Sequence, residues 1–290
     1  MKNYLELLMD NKVTIADLHA AKQSSRKIAA VSCYDYTTAS LVADAGIEMI
    51  LVGDSAAQIM LGHDSTLPAT MDFMITITAA VRRACANVCL VADMPFLSYH
   101  TGISDAVKNA GRFVQQAGVQ MIKIEATAAQ LDVIKAVSDA GMAVMAHIGI
   151  RPQSVGKLGK LKAEGTSAEM ALELIALADA MVDAGASTIL LEGTAREVAK
   201  IITQRVLVPV IGCGAGPDCD GQILLITDLL GLSKGATPKF AKSYAQLAPI
   251  TIKAVAAFMS QVQKEEYPDD DHCYHIKHGQ LEKLNGMLKA

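Results

Sequence analysis

Seven side chains able to do acid–base or ligand chemistry sit at or just beyond the ends of short apolar runs: Asp54 and Ser55, Asp93, Lys123 and Glu125, His147, and Glu192. Carboxylates crowded together without compensation repel one another and raise each other's pKa, so their gathering calls for a hard cation such as Mg2+ held through oxygen. Each residue also has a purely structural use. Asp54-Ser55 serves equally as a turn or helix N-cap, and Asp93, followed by Met94-Pro95, as a turn initiator. Lys123 alternates with Ile122 and Ile124, which directs it to the opposite face from them. Inside a closed sheet it needs an anion, and a salt bridge to Glu125 or Glu192 is the structural choice. Glu192 closes the run Thr188–Leu191, a setting that raises a carboxyl pKa and suits it to proton abstraction. His147 is either a hydrogen-bonded core histidine or a group standing behind metal ligands.

Whether these residues meet depends on the elements that carry them. Short β-prone runs near Ile28–Cys33, Met49–Val52, Val88–Ala92, Met121–Ile124, Ala143–Ile148, Thr188–Leu191 and Val208–Ile211, with a weaker one around Ile223–Ile226, alternate with segments of helical period. The helical segments are Thr37–Ala45, Met71–Cys85, Ala106–Ala117, Ala128–Ala140, Ser167–Ala184 and Arg196–Gln204, with capping boxes expected at Thr166-x-x-Glu169 and Thr194-x-x-Glu197. An Ala-Gly pair ends several helices, and Asp54, Glu125, His147 and Glu192 follow six to eight residues after such a glycine. Eight strands predict an α/β fold, the closed (β/α)8 TIM barrel, in which all strand C-termini share the face where a site is built. An open doubly wound sheet would also gather ligands at strand ends, but no Gly-x-Gly-x-x-Gly opens the first helix. Gly212-Cys-Gly-Ala-Gly216 is expected to be a tight turn lining the site. The organisation expected is a single barrel domain over 1–290, with an N-terminal helical extension over about 1–27 and a C-terminal helix plus polar tail over about 248–290.

Composition excludes several function classes. The 290 residues are 51% hydrophobic, and 26 Lys plus Arg against 30 Asp plus Glu leave a net charge of -4, with no block of like charge to attract nucleic acid or an anionic membrane. The first residues lack the pattern of a secretory signal, and no uninterrupted apolar stretch is long enough to span a bilayer. Six scattered cysteines, none in a Cys-x-x-Cys pair, fit reduced thiols in the cytoplasm better than a disulfide framework or a structural zinc site. His272, Cys273, His275 and His278, after Asp269-Asp-Asp271, are expected to form a mobile or interface segment rather than a metal cluster. Fourteen methionines in a chain that is 4% aromatic read as core filling.

Taken together, Val52-Gly-Asp-Ser55, Gly62-His-Asp-Ser-Thr-Leu-Pro68, Ala92-Asp-Met-Pro-Phe96, Ile122-Lys-Ile-Glu125, His147-Ile-Gly, Pro152-Gln-Ser-Val155, Leu191-Glu192 and Gly214-Ala-Gly-Pro-Asp-Cys-Asp-Gly-Gln222 resemble the ketopantoate hydroxymethyltransferase family, in collinear order from Lys27 to Pro268. The resemblance implies a barrel of the phosphoenolpyruvate/pyruvate superfamily that transfers a hydroxymethyl group from 5,10-methylenetetrahydrofolate to 3-methyl-2-oxobutanoate, in pantothenate and coenzyme A biosynthesis. It further implies that Asp54 and Asp93 ligate Mg2+ with Glu125 in the metal set, that Asp54, Ser55, Asp93 and Lys123 bind the 2-oxo acid, and that Glu192 is the general base. A homo-oligomer, a decamer of two pentameric rings, is implied in the same way. The chain departs from the family pattern at Ala126-Thr127 for Gly-Gly, at Ala56-Ala57-Gln58 after Ser55, in the loop Gly159–Gly165, and at Gly193-Thr-Ala195 after Glu192. Those departures keep two further readings in view: a Mg2+-dependent aldolase or lyase of the same superfamily acting on another 2-oxo acid, and a non-catalytic ligand-binding barrel.

Overall fold

A strand that is apolar at nearly every position has two faces to bury, which is the condition of a parallel sheet covered on both sides. The computed structural model of the chain describes residues 12–233 and 237–289. Eight such strands, β1 (Ile28–Ser32), β2 (Met49–Val52), β3 (Cys89–Asp93), β4 (Met121–Glu125), β5 (Ala143–Gly149), β6 (Thr188–Glu192), β7 (Val210–Cys213) and β8 (Gly221–Leu225), close in sequence order into a parallel barrel. Period-two alternation divides their residues. Ile28, Met49, Leu51, Val91, Met121, Met145, Leu190 and Ile211 belong to the inner cluster, while Ile50, Leu90, Ile122, Val144, Ile189 and Val210 pack outward under the helices. Each fully buried side chain of this size stabilises by about 1.5–3 kcal/mol. Methionines occupy interior positions that a chain poor in aromatic rings fills with flexible thioethers.

The helices Tyr36–Asp44, Met71–Ala84, Ile103–Ala117, Leu131–Asp139, Ala168–Asp183 and Arg196–Arg205 follow their strands as expected. Helix Met71–Ala84 buries Met74, Ile75, Thr78 and Val81, one stripe at helical spacing, and Thr70 caps it by accepting from the Phe73 amide. Gly118, at φ 64°, closes helix Ile103–Ala117 in the left-handed conformation that the Ala-Gly pair predicts.

Both predicted capping boxes are wrong. Ser167 rather than Thr166 caps helix Ala168–Asp183, because its hydroxyl is the one that reaches the Met170 amide. Thr194 instead donates its hydroxyl to the Glu192 carbonyl, and Ala195 stands at the N-cap of Arg196–Arg205 without a side-chain bond. True capping boxes occur at Thr14 with Asp17 and at Thr127 with Gln130, the latter opening a 3-10 turn, Ala128–Gln130, ahead of Leu131–Asp139.

Of the expected N-terminal extension, residues 1–11 lie outside the described residues. The rest carries helix Ile15–Gln23, whose Leu18 and Ala21 join the inner cluster and close the floor of the barrel. After β8 come a short helix, Ile226–Leu229, and then helix Leu247–Gln263. The expected polar tail contains a 3-10 turn, Asp270–His272, and a helix, Gln280–Leu288. Among the described residues, no helix is long and apolar enough to cross a membrane, and the tail gathers no group of three or more His, Cys, Asp or Glu that could hold a metal ion. All six cysteines are free, and Cys273 is the exposed one. Burial pushes the Cys33 thiol up to about 11 and the Cys89 thiol to about 12, which leaves both unreactive.

The end of β5 passes close to the end of β6. Gly149 pairs in register with Glu192 at φ 95°, and a Cβ there would run into the Glu192 carbonyl oxygen. Gly149→Ala is expected to cost about 2 kcal/mol or more, from left-handed strain plus collision. Urea unfolding of the two proteins measures it, and a variant as stable as the parent would remove the close-approach argument.

Candidate active site

At the C-terminal ends of the strands the inner column changes from apolar to ionisable, because alternation carries the same parity onward: Val91 to Asp93, Met121 to Lys123 to Glu125, Met145 to His147, Leu190 to Glu192. Lys123 pairs in register with Asp93 across the β3–β4 ladder. Its Nζ lies 2.6 Å from both carboxylate oxygens of Asp93, and both residues are buried. The partner of Lys123 is therefore Asp93, not the Glu125 or Glu192 expected from sequence. Register places Asp93 alongside it, whereas Glu125 stands two residues further along its own strand. Burial alone would lower the Lys123 ammonium, but the negative charges of Asp93 and Asp54 outweigh it and hold it above its ordinary value. Burial pushes the Asp93 carboxyl up and the charge of Asp54 adds to that, with Lys123 opposing. Nor is Asp93 a local turn former: its Oδ2 accepts the Asp54 amide at 3.0 Å, which ties the loop after β2 to the end of β3.

The other candidates are held individually. Ser55 opens helix Ala56–Ile59 without capping it, and its hydroxyl lies 2.8 Å from Tyr34 Oη. Burial lifts the Tyr34 phenol well above its ordinary value, so it stays neutral. Glu125 accepts the Gln153 amide on Oε2 and the Ser154 hydroxyl on Oε1, both at 2.9 Å. His147 is buried, its ring nitrogens make no hydrogen bond among the described residues, and its Nε2 stands 3.3 Å from Glu192 Oε2. It is thus not a core histidine hydrogen-bonded in place but a neighbour of Glu192. The Glu192 side chain is 22% exposed, less enclosed than its apolar run implies, because the run ends where the barrel opens.

All seven candidates line one cavity of about 530 Å3, within the usual size of a small-molecule site. Cys213 lines it too, but as the last residue of β7: the turn expected over Gly212–Gly216 begins only after Cys213, and its remaining residues do not line the cavity. Tyr34, Tyr99 and Gln153 were missed as individual residues. Tyr34 follows the first strand with no motif around it. Gln153 lies inside a segment that the family resemblance includes, so a signal was present but not a role.

A family model described as ketopantoate hydroxymethyltransferase matches residues 12–270. A 3-methyl-2-oxobutanoate hydroxymethyltransferase of Syntrophomonas wolfei is 44% identical over 273 residues, which cover 94% of this chain and 99% of that protein. The chain belongs to the ketopantoate hydroxymethyltransferase family. Membership makes it an enzyme, a transferase, and the non-catalytic reading falls. Among solved structures, phosphonopyruvate hydrolase in complex with oxalate and Mg2+ superimposes with a TM-score of 0.59 at 15% identity, over 95% of each chain. A 2,3-dimethylmalate lyase, described as a PEP mutase/isocitrate lyase superfamily member, gives 0.55 at 18% identity, again over 95% of each chain. At such identities these two establish the shared barrel fold.

The departures from the family pattern are accommodated locally. The Ala126 amide donates to the His147 carbonyl at 2.8 Å, and Thr127 becomes a helix cap. Glu164 of the altered loop forms a parallel bridge with Thr194 of the altered segment after β6: its amide donates to the Gly193 carbonyl at 2.9 Å and its carbonyl accepts from the Ala195 amide at 3.0 Å. Asp54 and Asp93, linked and buried, offer oxygen donors only, the chemistry that suits Mg2+. Glu125 lines the same cavity, and a set of carboxylates leaves room for the substrate and water oxygens that Mg2+ usually keeps.

Lys123→Met leaves the buried Asp93 carboxyl without its partner, so that it must take up a proton or stay charged and unpaired, and should destabilise the fold by about 3 kcal/mol at pH 7, with much of the loss recovered on adding Asp93→Leu. Urea unfolding of the two variants measures this, and additive losses would refute the pairing.

Proposed function

We propose that the protein transfers a hydroxymethyl group from 5,10-methylenetetrahydrofolate to 3-methyl-2-oxobutanoate, giving 2-dehydropantoate, with Mg2+ bound at Asp54 and Asp93 and Glu125 in the metal set. The observation that carries this reading is the single cavity in which a buried lysine, two linked aspartates and Glu192 all face the same space. When bound, the divalent cation supplies positive charge that favours the enolate of a 2-oxo acid over its keto form.

The chain's own residues perform the remainder. Lys123 offsets the negative charge of the substrate, with Asp54, Ser55 and Asp93 fixing its orientation around the 2-oxo acid group. Glu192 takes the C3 proton, and His147, 3.3 Å away, faces the carboxyl that gains it. The enolate carbon then forms a bond to the folate's methylene carbon as a C–N bond breaks. Water displaces the second folate nitrogen, so that its oxygen completes the hydroxymethyl group, and one water proton together with the proton held on Glu192 goes to the two nitrogens as tetrahydrofolate leaves. In total, the oxo acid, methylenetetrahydrofolate and water yield 2-dehydropantoate and tetrahydrofolate.

Glu192→Gln should abolish deuterium exchange at C3 of 3-methyl-2-oxobutanoate in D2O with Mg2+, followed by proton NMR, while the oxo acid still binds. Unchanged exchange would remove Glu192 from the base role. In the parent, turnover with formaldehyde and none with methylenetetrahydrofolate would replace the folate donor by a free aldehyde.

The assembly is a homo-oligomer in this reading, the decamer that the family resemblance implies. Helix Leu247–Gln263 exposes Ile252, Val255, Met259 and Val262 at the spacing of one apolar face, and on the barrel Ala29 and its register partner Gln222 lie exposed. A stripe of this kind on a folded chain marks a contact surface. Val255→Asp with Met259→Asp should shift the mass measured by light scattering to smaller species; an unchanged mass would place the interface elsewhere. Six free thiols support a reducing compartment, the cytoplasm.

A further inference from the structure

Gln153 sits at the start of the segment after β5, in the 3-10 turn Pro152–Ser154, and is buried although its sequence neighbours line the cavity edge. Its Nε2 lies 2.9 Å from Asp54 Oδ2 and 2.9 Å from the Met94 carbonyl. Its Oε1 lies 2.7 Å from the Tyr99 hydroxyl, whose single proton it shares with the Glu125 carbonyl at 3.0 Å. Its own amide donates to Glu125 Oε2 at 2.9 Å. The chemistry of these partners fixes the orientation of the side-chain amide: a carboxylate and a carbonyl can only accept, so the NH2 faces them, and the Tyr99 hydroxyl is the group able to donate to the oxygen. All of its polar groups named here are thus satisfied at once. One residue ties together the loop after β2, the residue after β3 and the end of β4.

We propose that Gln153 is the positioning residue of the metal site, locking the Asp54 and Glu125 carboxylates in the orientations that bind the divalent cation, with Tyr99 holding Gln153 in turn. This rests on the reading that Asp54, Asp93 and Glu125 form the metal set. Asp54 Oδ2 is committed to Gln153, while Oδ1 makes no hydrogen bond among the described residues and is the oxygen left for a cation. Both oxygens of Glu125 are aimed by consecutive residues, Gln153 and Ser154. Partners that orient a ligand in this way set metal affinity as strongly as many ligands do. Gln153 does not line the cavity, and Asp54 and Glu125 come from different strand ends that no direct hydrogen bond joins, so the amide supplies the link between them.

The test is Mn2+ binding to the full chain, read as loss of the free-ion signal in electron paramagnetic resonance titrations, alongside thermal unfolding of the metal-free proteins. Gln153→Leu removes the donor to Asp54. Gln153→Glu keeps the shape and the backbone amide but turns an acceptor toward Asp54 and Met94. Both are expected to raise the Mn2+ dissociation constant by about tenfold or more, and Tyr99→Phe by a smaller factor. A merely structural Gln153 would lower the unfolding temperature and leave Mn2+ affinity alone. Affinity equal to the parent in Gln153→Leu and Gln153→Glu therefore overturns the proposal, and should Gln153→Leu fail to fold, Gln153→Glu decides it. A parent chain that binds no Mn2+, or binds it equally well after Asp54→Asn, overturns the metal reading itself, and the positioning role falls with it.

Discussion

A lysine ammonium and an aspartate carboxylate removed from water side by side are tolerable only in each other's company. Much of the site is arranged around that requirement. Lys123 and Asp93 meet because β3 and β4 lie in a register that sets them opposite one another, and that register holds because their outward neighbours, Ala92 and Ile122, are buried under the helices. A slip of one residue would turn Lys123 out into the apolar layer and Ile122 into the cavity. The ion pair therefore works against misalignment as well as being a product of alignment. Asp93 Oδ2 also accepts the Asp54 amide, so the loop after β2 takes its position from a pair made on two other strands.

How much of this was legible in the sequence follows from the physical range of each signal. Alternation and apolar continuity act within one strand, and they located all eight strands to within a residue or two. They also placed Lys123 and Glu125 on the inward face and Asp93, His147 and Glu192 at or just beyond strand ends. Partnership across strands depends on register, which no local pattern encodes, so the anion beside Lys123 was expected to be Glu125 or Glu192 and is Asp93. Caps failed for a related reason. Thr166 and Thr194 have the right spacing, but competition between adjacent hydroxyls, and a carbonyl within reach of Thr194, decided which group did what. Buried neutral residues such as Tyr34, Tyr99 and Gln153 carry no charge pattern, and their importance appears only when the distances between loops are known.

The ionisable ring also explains why the barrel is closed at one end and open at the other. Leu18 and Ala21 of the N-terminal helix seal the floor with apolar contacts, so water enters from the face where the carboxylates stand. On β3 to β6 the polar layer begins two residues above the last apolar one, and one step of alternation thus separates the part that holds the fold together from the part that does chemistry.

The bridge between Glu164 and Thr194 bears on descent. It joins two of the stretches in which this chain departs from the family pattern, and it does so through backbone atoms, which any residue type supplies. Side chains on either stretch were therefore free to drift while the wall they build kept its course. Change in one stretch still presses on the other, since the two strips of chain lie against each other and share one rim of the cavity. A strip carrying other side chains would need only its backbone to follow the same course for the bridge to form again.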